Sequence, residues 1–305
     1  MKLNRRQMLA TLGGMAVLGR SSFAFAKTKI EVGSNEVISI SDGHLLLPRS
    51  MLFDGLPQTP LEEILSKHGI SSDQLMRPCN LTLLRQDENL VLFDAGSGAG
   101  FMPSAGDMLE NLGQEDVSAE DITHVVFTHG HPDHLWGILD DFDDPVFPNA
   151  EILIGQTEWD YWTDPETVST IGDARASFAV GAARRLEAIE DQISFFKDAD
   201  EILPGVMAHG TPGHTPGHMS FEVRNGSDAV MIGGDAIGNH HVSFARPKWH
   251  SGADQDPEMG AASRVRLLDK LATDKTTLLG FHLPDGGLGQ VERDGDAYRF
   301  VPNIT

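Results

Sequence analysis

The sequence predicts a layered protein of mixed α and β structure, with sheets covered by helices and residues 27–305 forming one domain. Three observations carry that expectation. Short apolar runs bounded by turn residues recur along the chain, and stretches of helical periodicity lie between them. Neither an internal repeat nor a Gly/Ser-rich linker divides it. At 305 residues the chain is long enough for one large domain or two small ones.

The first 26 residues are set aside as an export signal. Lys2, Arg5 and Arg6 precede an apolar run over residues 8–18, and Ala24-Phe25-Ala26 offers a small-residue cleavage site. That run is shorter than the roughly 20 apolar residues that span a bilayer. Arg5-Arg6 before Gln7-Met8-Leu9 has the pattern of a twin-arginine signal, read on already folded proteins. The mature chain is therefore expected to begin near Lys27, to work in the periplasm or outside the cell, and to keep no membrane anchor.

Residues 61–68 read as a helix opened by Thr59-Pro60, because the fixed φ of proline suits a helix start. Residues 81–84, 90–93, 124–127 and 151–154 read as strands. Thr163-Asp164-Pro165-Glu166 marks another helix entrance, leading into an amphipathic stretch through residue 190. Residues 164–197 thus form a helical excursion between two sheet-forming halves. Strands follow at 229–232, 276–279 and 298–301. A helix over 257–271 offers Met259, Ala262, Leu267 and Leu268 as apolar positions.

Composition excludes some functions. The formal charge of -22 becomes -26 once the signal leaves, because the signal holds four basic residues and no acid. So acidic a surface repels phosphodiester backbones, which argues against nucleic-acid substrates. Cys79 is the single cysteine, so no internal disulfide and no multi-cysteine zinc site can form. It reads as a small buried hydrophobe.

The run Thr128-His129-Gly130-His131-Pro132-Asp133-His134 concentrates three imidazoles and a carboxylate just after a predicted strand. Such groups would crowd and desolvate one another unless a cation sat between them. Nitrogen-rich ligation with one carboxylate favours zinc over calcium or magnesium. Further candidates stand just beyond other strands: His214 and His218 in a Pro/Gly loop, Asp235 after residues 229–232, and His282 after 276–279.

Together, His129-Gly130-His131-Pro132-Asp133-His134, His214, Asp235 and His282 resemble the full ligand set of the metallo-β-lactamase superfamily. Leu92-Phe93-Asp94-Ala95-Gly96 resembles its first motif. The resemblance implies an αββα four-layer sandwich with two divalent ions, zinc foremost, in a cleft along one edge. It implies that His129, His131 and His214 hold the first ion, that Asp133, His134 and His282 hold the second, and that Asp235 bridges them. Asp94 would steady the ligands from behind. A water between two ions roughly 3.5–4 Å apart would lose its proton near neutral pH, and Asp133 would orient it or carry a proton to the leaving group.

Within that superfamily the motifs look most similar to exported methyl parathion hydrolase and its dihydrocoumarin-hydrolysing relatives. This implies a binuclear hydrolase acting on lactones, aryl esters or phosphotriesters, with a small-molecule substrate; a homodimer is taken only as the general default for an assembly. N-acyl homoserine lactonases share the motifs but carry a functional tyrosine three residues after the bridging aspartate, where Gly238 stands here. A mono-iron persulfide dioxygenase uses part of the same ligand set and is the alternative from another class. Residues 98–103, Trp136, residues 159–162 and residues 244–249 are candidate pocket walls. His218 reads as a structural partner, His124 as a core or rim residue, and His240, His241 and His250 as exposed. His44, His68 and His209 carry no spacing argument.

Overall fold

The computed structural model describes residues 28–303. The expected export signal lies outside the described residues. Two sheets of seven strands face each other. The first runs in chain order: β1 (Lys29–Val32), β2 (Asn35–Pro48), β3 (Gln74–Gln86), β4 (Asn89–Phe93), β5 (His124–Val126), β6 (Glu151–Gly155) and β7 (Ile193–Phe196). The second runs in reverse order, from β14 (Ala297–Pro302) through β13 (Leu288–Asp294), β12 (Thr277–Leu279), β11 (Asp228–Ile232), β10 (Met219–Asn225) and β9 (Val206–Gly210) to β8 (Glu201–Leu203).

Each central strand is apolar on both faces, and the period of two sorts its side chains into separate layers. Leu84, Val91, Phe93, Val126 and Leu153 meet Phe221, Val223, Val230, Ile232 and Leu279 between the sheets. Their neighbours Leu83, Leu92, Val125, Ile152 and Ile154 point outward. There they receive Ala179, Ala182 and Leu186 of a helix at Ala176–Ala188. On the far side, Met231 and Leu278 receive Leu267, Leu268 and Leu271 of a helix at Pro257–Asp274. Helix, sheet, sheet, helix is the αββα sandwich. Burial of each such side chain contributes about 1.5–3 kcal/mol.

In chain order the helices are α1 (Arg49–Phe53), α2 (Gln58–Lys67), α3 (Met108–Gly113), α4 (Pro132–Leu135), α5 (Gln156–Thr163), α6 (Thr167–Thr170), α7 (Ala176–Ala188), α8 (Val242–Ala245) and α9 (Pro257–Asp274). Helices α1 and α2 pack Leu52, Phe53, Leu61 and Leu65 against Val242 of α8 as a satellite cluster.

Several local expectations are corrected. Helix α2 begins at Gln58, with Pro60 in its first turn rather than at its start. The continuous helix expected through residue 190 is broken into α6, a 3-10 turn at Asp173–Arg175, and α7. Gly172 has φ 94°, which a right-handed helix cannot contain. Helix α9 runs on to Asp274 and stops where Lys275 turns left-handed at φ 55°. Met259 and Ala262 face solvent, and Gly260, Ala261, Ser263 and Arg264 are buried instead. Strand β3 is 13 residues long, far beyond its apolar centre, because β2 pairs with nearly all of it. Among the described residues no helix is long and apolar enough to cross a membrane.

Candidate metal centre

Strands β4, β5 and β6 run parallel, as do β11 and β12, so their C-terminal ends share one rim of the sandwich. The turn after β5 carries His129 and His131, then enters α4 with Pro132 in the first turn, presenting Asp133 and His134. The β9–β10 loop carries His214, and the turns after β11 and β12 carry Asp235 and His282. All seven side chains meet at this rim, and none is more than 7% exposed.

The donors form two groups joined by one carboxylate. His131 Nδ1 lies 3.0 Å from His129 Nε2 and 2.9 Å from His214 Nε2. His282 Nε2 lies 3.3 Å from Asp133 Oδ2, and His134 Nε2 lies 3.6 Å from the same oxygen. Asp235 Oδ2 is 3.2 Å from both His214 Nε2 and His282 Nε2, while its Oδ1 is 3.4 Å from His134 Nε2.

The outward nitrogens explain why the inward ones point as they do. His134 Nδ1 donates to Asp94 Oδ2 at 2.7 Å, His214 Nδ1 to Asp254 Oδ1 at 3.1 Å, and His282 Nδ1 to the Pro78 carbonyl at 2.7 Å. Each outer partner is an acceptor, so Nδ1 holds the proton and Nε2 turns a lone pair inward. Asp94, with φ 65°, also accepts from the Thr128 amide and hydroxyl and thereby ties β4 to the histidine turn. Inside, His134 Nε2, His282 Nε2, Asp133 Oδ2 and Asp235 Oδ1 are buried without a hydrogen-bond partner. Buried lone pairs and carboxylate oxygens aimed at one another are costly unless a cation takes them. The donor set therefore fits divalent metal.

Charge tells the same story. Burial first, and then neighbouring imidazoles, hold His129 and His131 well below the ordinary histidine range, so they stay neutral. When no cation is present, burial works to raise Asp133 and Asp235, but their neighbours His134 and His282 outweigh it and hold both below the ordinary aspartate range, while Asp94, Asp133 and Asp235 overcome burial and raise His134 above the ordinary histidine range.

Several contributors escaped the sequence reading. Glu158 of α5 is fully enclosed and accepts from Gly130 N, Trp162 Nε1, Thr215 Oγ1 and Gly217 N at 2.6–2.9 Å. It clamps the His129/His131 turn to the His214 loop. A Cβ on Gly217 would lie 2.2 Å from Glu158 N, which is why that loop position is glycine. Asp254 orients His214 and is itself held by Arg264 Nη2 at 3.3 Å. Arg77 reaches in from β3, with Nη2 at 3.6 Å from Asp235 Oδ2 and 3.1 Å from the Gly238 carbonyl, and its Nε is buried without a partner. Cys79 is buried as expected, but its Sγ also joins Asp133 and His282 in a compact donor group. Burial, then the charge of Asp133, pushes its thiol well above the usual range when no cation is present.

Other histidines sort by environment. His218 is structural, as expected: Nδ1 bonds Thr211 Oγ1 at 2.8 Å, and Nε2 accepts the Asp235 amide at 2.9 Å. Burial brings its pKa down to about 3. His124 is half-buried at the N-terminal start of β5, the end away from the donors, beside Thr123 Oγ1. His250 is exposed, but His241 is buried and His240 half-buried. These two pack with His68 at ring distances of 5.0–5.8 Å. A cavity of about 370 Å³ lies beside the His214 loop, lined by Tyr161, Ile171, Arg175, Pro216, Gln255 and Met259 among others. Of the expected wall segments only 159–162 reaches it, through Tyr161.

Comparisons with known proteins agree with this geometry. The profile of the metallo-beta-lactamase superfamily matches residues 76–281. The fold is similar to AidC, a dizinc quorum-quenching lactonase solved with the product N-hexanoyl-L-homoserine: TM-score 0.86, 26% identity, 92% of this chain and 98% of that one. It is similar also to the hydrolase AbOPH, with TM-score 0.84, 26% identity and the same coverage. Among curated proteins, YobT of Bacillus subtilis is 28% identical over 52% of this chain, and the N-acyl homoserine lactonase AttM of Agrobacterium fabrum 27% over 59%. Those matches span 62% and 64% of the two relatives' lengths, less than two thirds of either. With the motifs in order, both sheets in place and the donors converged, the chain belongs to the metallo-beta-lactamase superfamily.

Proposed function

We propose that the protein is a binuclear, zinc-dependent hydrolase that opens lactones and cleaves aryl esters, with phosphotriesters as a further substrate class. The observation that carries this reading is Asp235, whose Oδ2 lies 3.2 Å from a histidine of each donor group. His129, His131 and His214 would hold one ion, Asp133, His134 and His282 the other, and Asp235 both. When bound, such ions supply Lewis acidity and bring the pKa of water down to about 7.

The chain's own residues account for the remaining steps. Asp133 Oδ2, buried and without a donor, can orient the attacking water and hold its proton for the leaving oxygen. Arg77, whose Nη2 lies 3.6 Å from Asp235 Oδ2, adds positive charge beside the centre where charge develops on the substrate oxygen. Trp162 and Phe178, with ring centres 5.7 and 6.1 Å from that of His131, keep water from one side. The cavity beside His214 offers Ile171, Pro216 and Met259 to an acyl or aryl group. N-acyl homoserine lactones are the specific case that the likeness to AidC and AttM favours.

The test is a purified-protein assay on matched lactone, aryl ester and phosphotriester substrates, with metal quantified alongside. Lactone or ester turnover with two ions per chain is expected. Full turnover after exhaustive chelation, or inertness of fully loaded protein across the panel, would overturn the reading. One iron per chain with oxygen consumed on a persulfide would replace it with the dioxygenase.

We also propose export to the periplasm by the twin-arginine route. Arg5-Arg6 ahead of the apolar run supports this. Replacing Arg5→Lys and Arg6→Lys together should leave uncleaved precursor in the cytoplasm, and normal export of that variant would argue against the route.

A further inference from the structure

We infer that Cys79 supplies a sulfur ligand at the second cation position, alongside Asp133 and His282. The inference rests on the binuclear reading and goes beyond the histidine and aspartate set. Ligand atoms of Cys79, Asp133 and His282 all lie within 4.8 Å of one another, and all three residues are buried. Asp133 Oδ2 and His282 Nε2 have no hydrogen-bond partner, and their residues are 6% and 2% exposed. The thiol itself has only a long contact, 4.0 Å to the Arg77 carbonyl.

The backbone holds the sulfur there. Pro78 accepts from His282 Nδ1 at 2.7 Å. Asn80 donates through its side chain to the carbonyls of Phe281 at 2.9 Å and Leu283 at 2.8 Å. Residues on both sides of Cys79 are thus bonded to the turn that carries His282, which keeps strand and turn from drifting apart.

On binding, the S–H bond breaks as the sulfur–metal bond forms, and the proton leaves to solvent. Thiolate is softer than imidazole or carboxylate, so the second position should favour thiophilic cations more than the first.

The experiment is a titration of metal-free protein with Co²⁺, followed by absorption. Near-ultraviolet sulfur-to-cobalt charge transfer should grow as the second equivalent binds. Cys79 is the sole cysteine, so no other residue can supply that band. Cys79→Ser and Cys79→Ala should abolish it, keep the visible ligand-field bands, and bind the second equivalent at least about tenfold more weakly. Ligand-field bands without charge transfer in the wild type would overturn the sulfur ligand alone, and this holds even if neither variant folds. Persistence of the near-ultraviolet band in Cys79→Ala would overturn it equally. Failure of the wild type to take up cobalt would overturn the binuclear reading and this assignment with it.

Discussion

The amide of Gly217 donates to Glu158 Oε2 at 2.9 Å across 59 residues of chain. The other oxygen of that carboxylate accepts the amide of Gly130 at 2.8 Å, so one buried acid fixes the spacing of the two loops that carry the candidate donors. Replacing Glu158→Ala would strand several buried donors. A loss of roughly 3 kcal/mol in stability is expected, together with lower metal retention, measured by urea midpoint and metal content. Glu158→Gln should lose less, because it keeps an acceptor.

Asp254 and His214 form the second such relationship, 3.1 Å apart. Asp254→Asn should weaken metal binding by about 10–100-fold, the range for partners that orient ligating histidines. Competition with a chelator reads this directly. Asp254→Ala should in addition destabilise by about 3–5 kcal/mol, since Arg264 is left as an unpaired buried charge.

Metal ligation separates sharply from surface histidine. Asp235→Ala and His131→Ala should abolish turnover and lower the metal bound per chain. His250→Ala should match the wild type in both, because that side chain is exposed. Wild-type turnover in Asp235→Ala would remove the bridging role.

Arg77→Met tests the guanidinium charge beside the centre. A fall in kcat/KM of about 10²-fold is expected, with metal content unchanged. If both metal content and stability fall instead, the residue supports Asp235 rather than substrate.

Stability should also depend on pH through Asp42, which accepts the amides of Ser97 and Met108 and lies outside the metal centre. Burial raises its pKa from 3.8 to about 6. Its contribution is complete below the unfolded value and is lost as pH rises through the folded one. Between pH 3.8 and about 6 the wild type should therefore lose on the order of 3 kcal/mol relative to Asp42→Asn. Denaturant curves of both proteins across that window check the sign.

Much of the frame was legible from residue pattern alone, for a local reason. Apolar runs such as Leu90 to Phe93 supply both faces of a strand by themselves, and the period of two divides them between layers. His129, His131, Asp133 and His134 share one short turn, so their convergence needs no long-range information. What misled was also local: the pattern over residues 164–190 is helical throughout, but Gly172 at φ 94° interrupts it. The alternating strands β2 and β10 were passed over, although Ile38 and Ile40, and Met219, Phe221 and Val223, are buried apolar positions at the spacing of a strand.

The clustered donors of the histidine turn and the alternation of strands with helices can be read from neighbouring residues, whereas grouping those donors with His214, Asp235 and His282, and the four-layer sandwich, rested on the resemblance of the motifs. Glu158, Asp254, Arg77 and the sulfur of Cys79 are different. Nothing near any of them in the chain marks one carboxylate out of 45 acidic residues as a clamp. The loops and residues they join to the site are distant in the chain (Glu158 to Gly130 is 28 positions, Asp254 to His214 is 40, Arg77 to Gly238 is 161), and only sheet register and loop packing bring them together. Identity was written in the chain, and the burial that makes those groups costly to leave unpaired arose only when the sandwich closed.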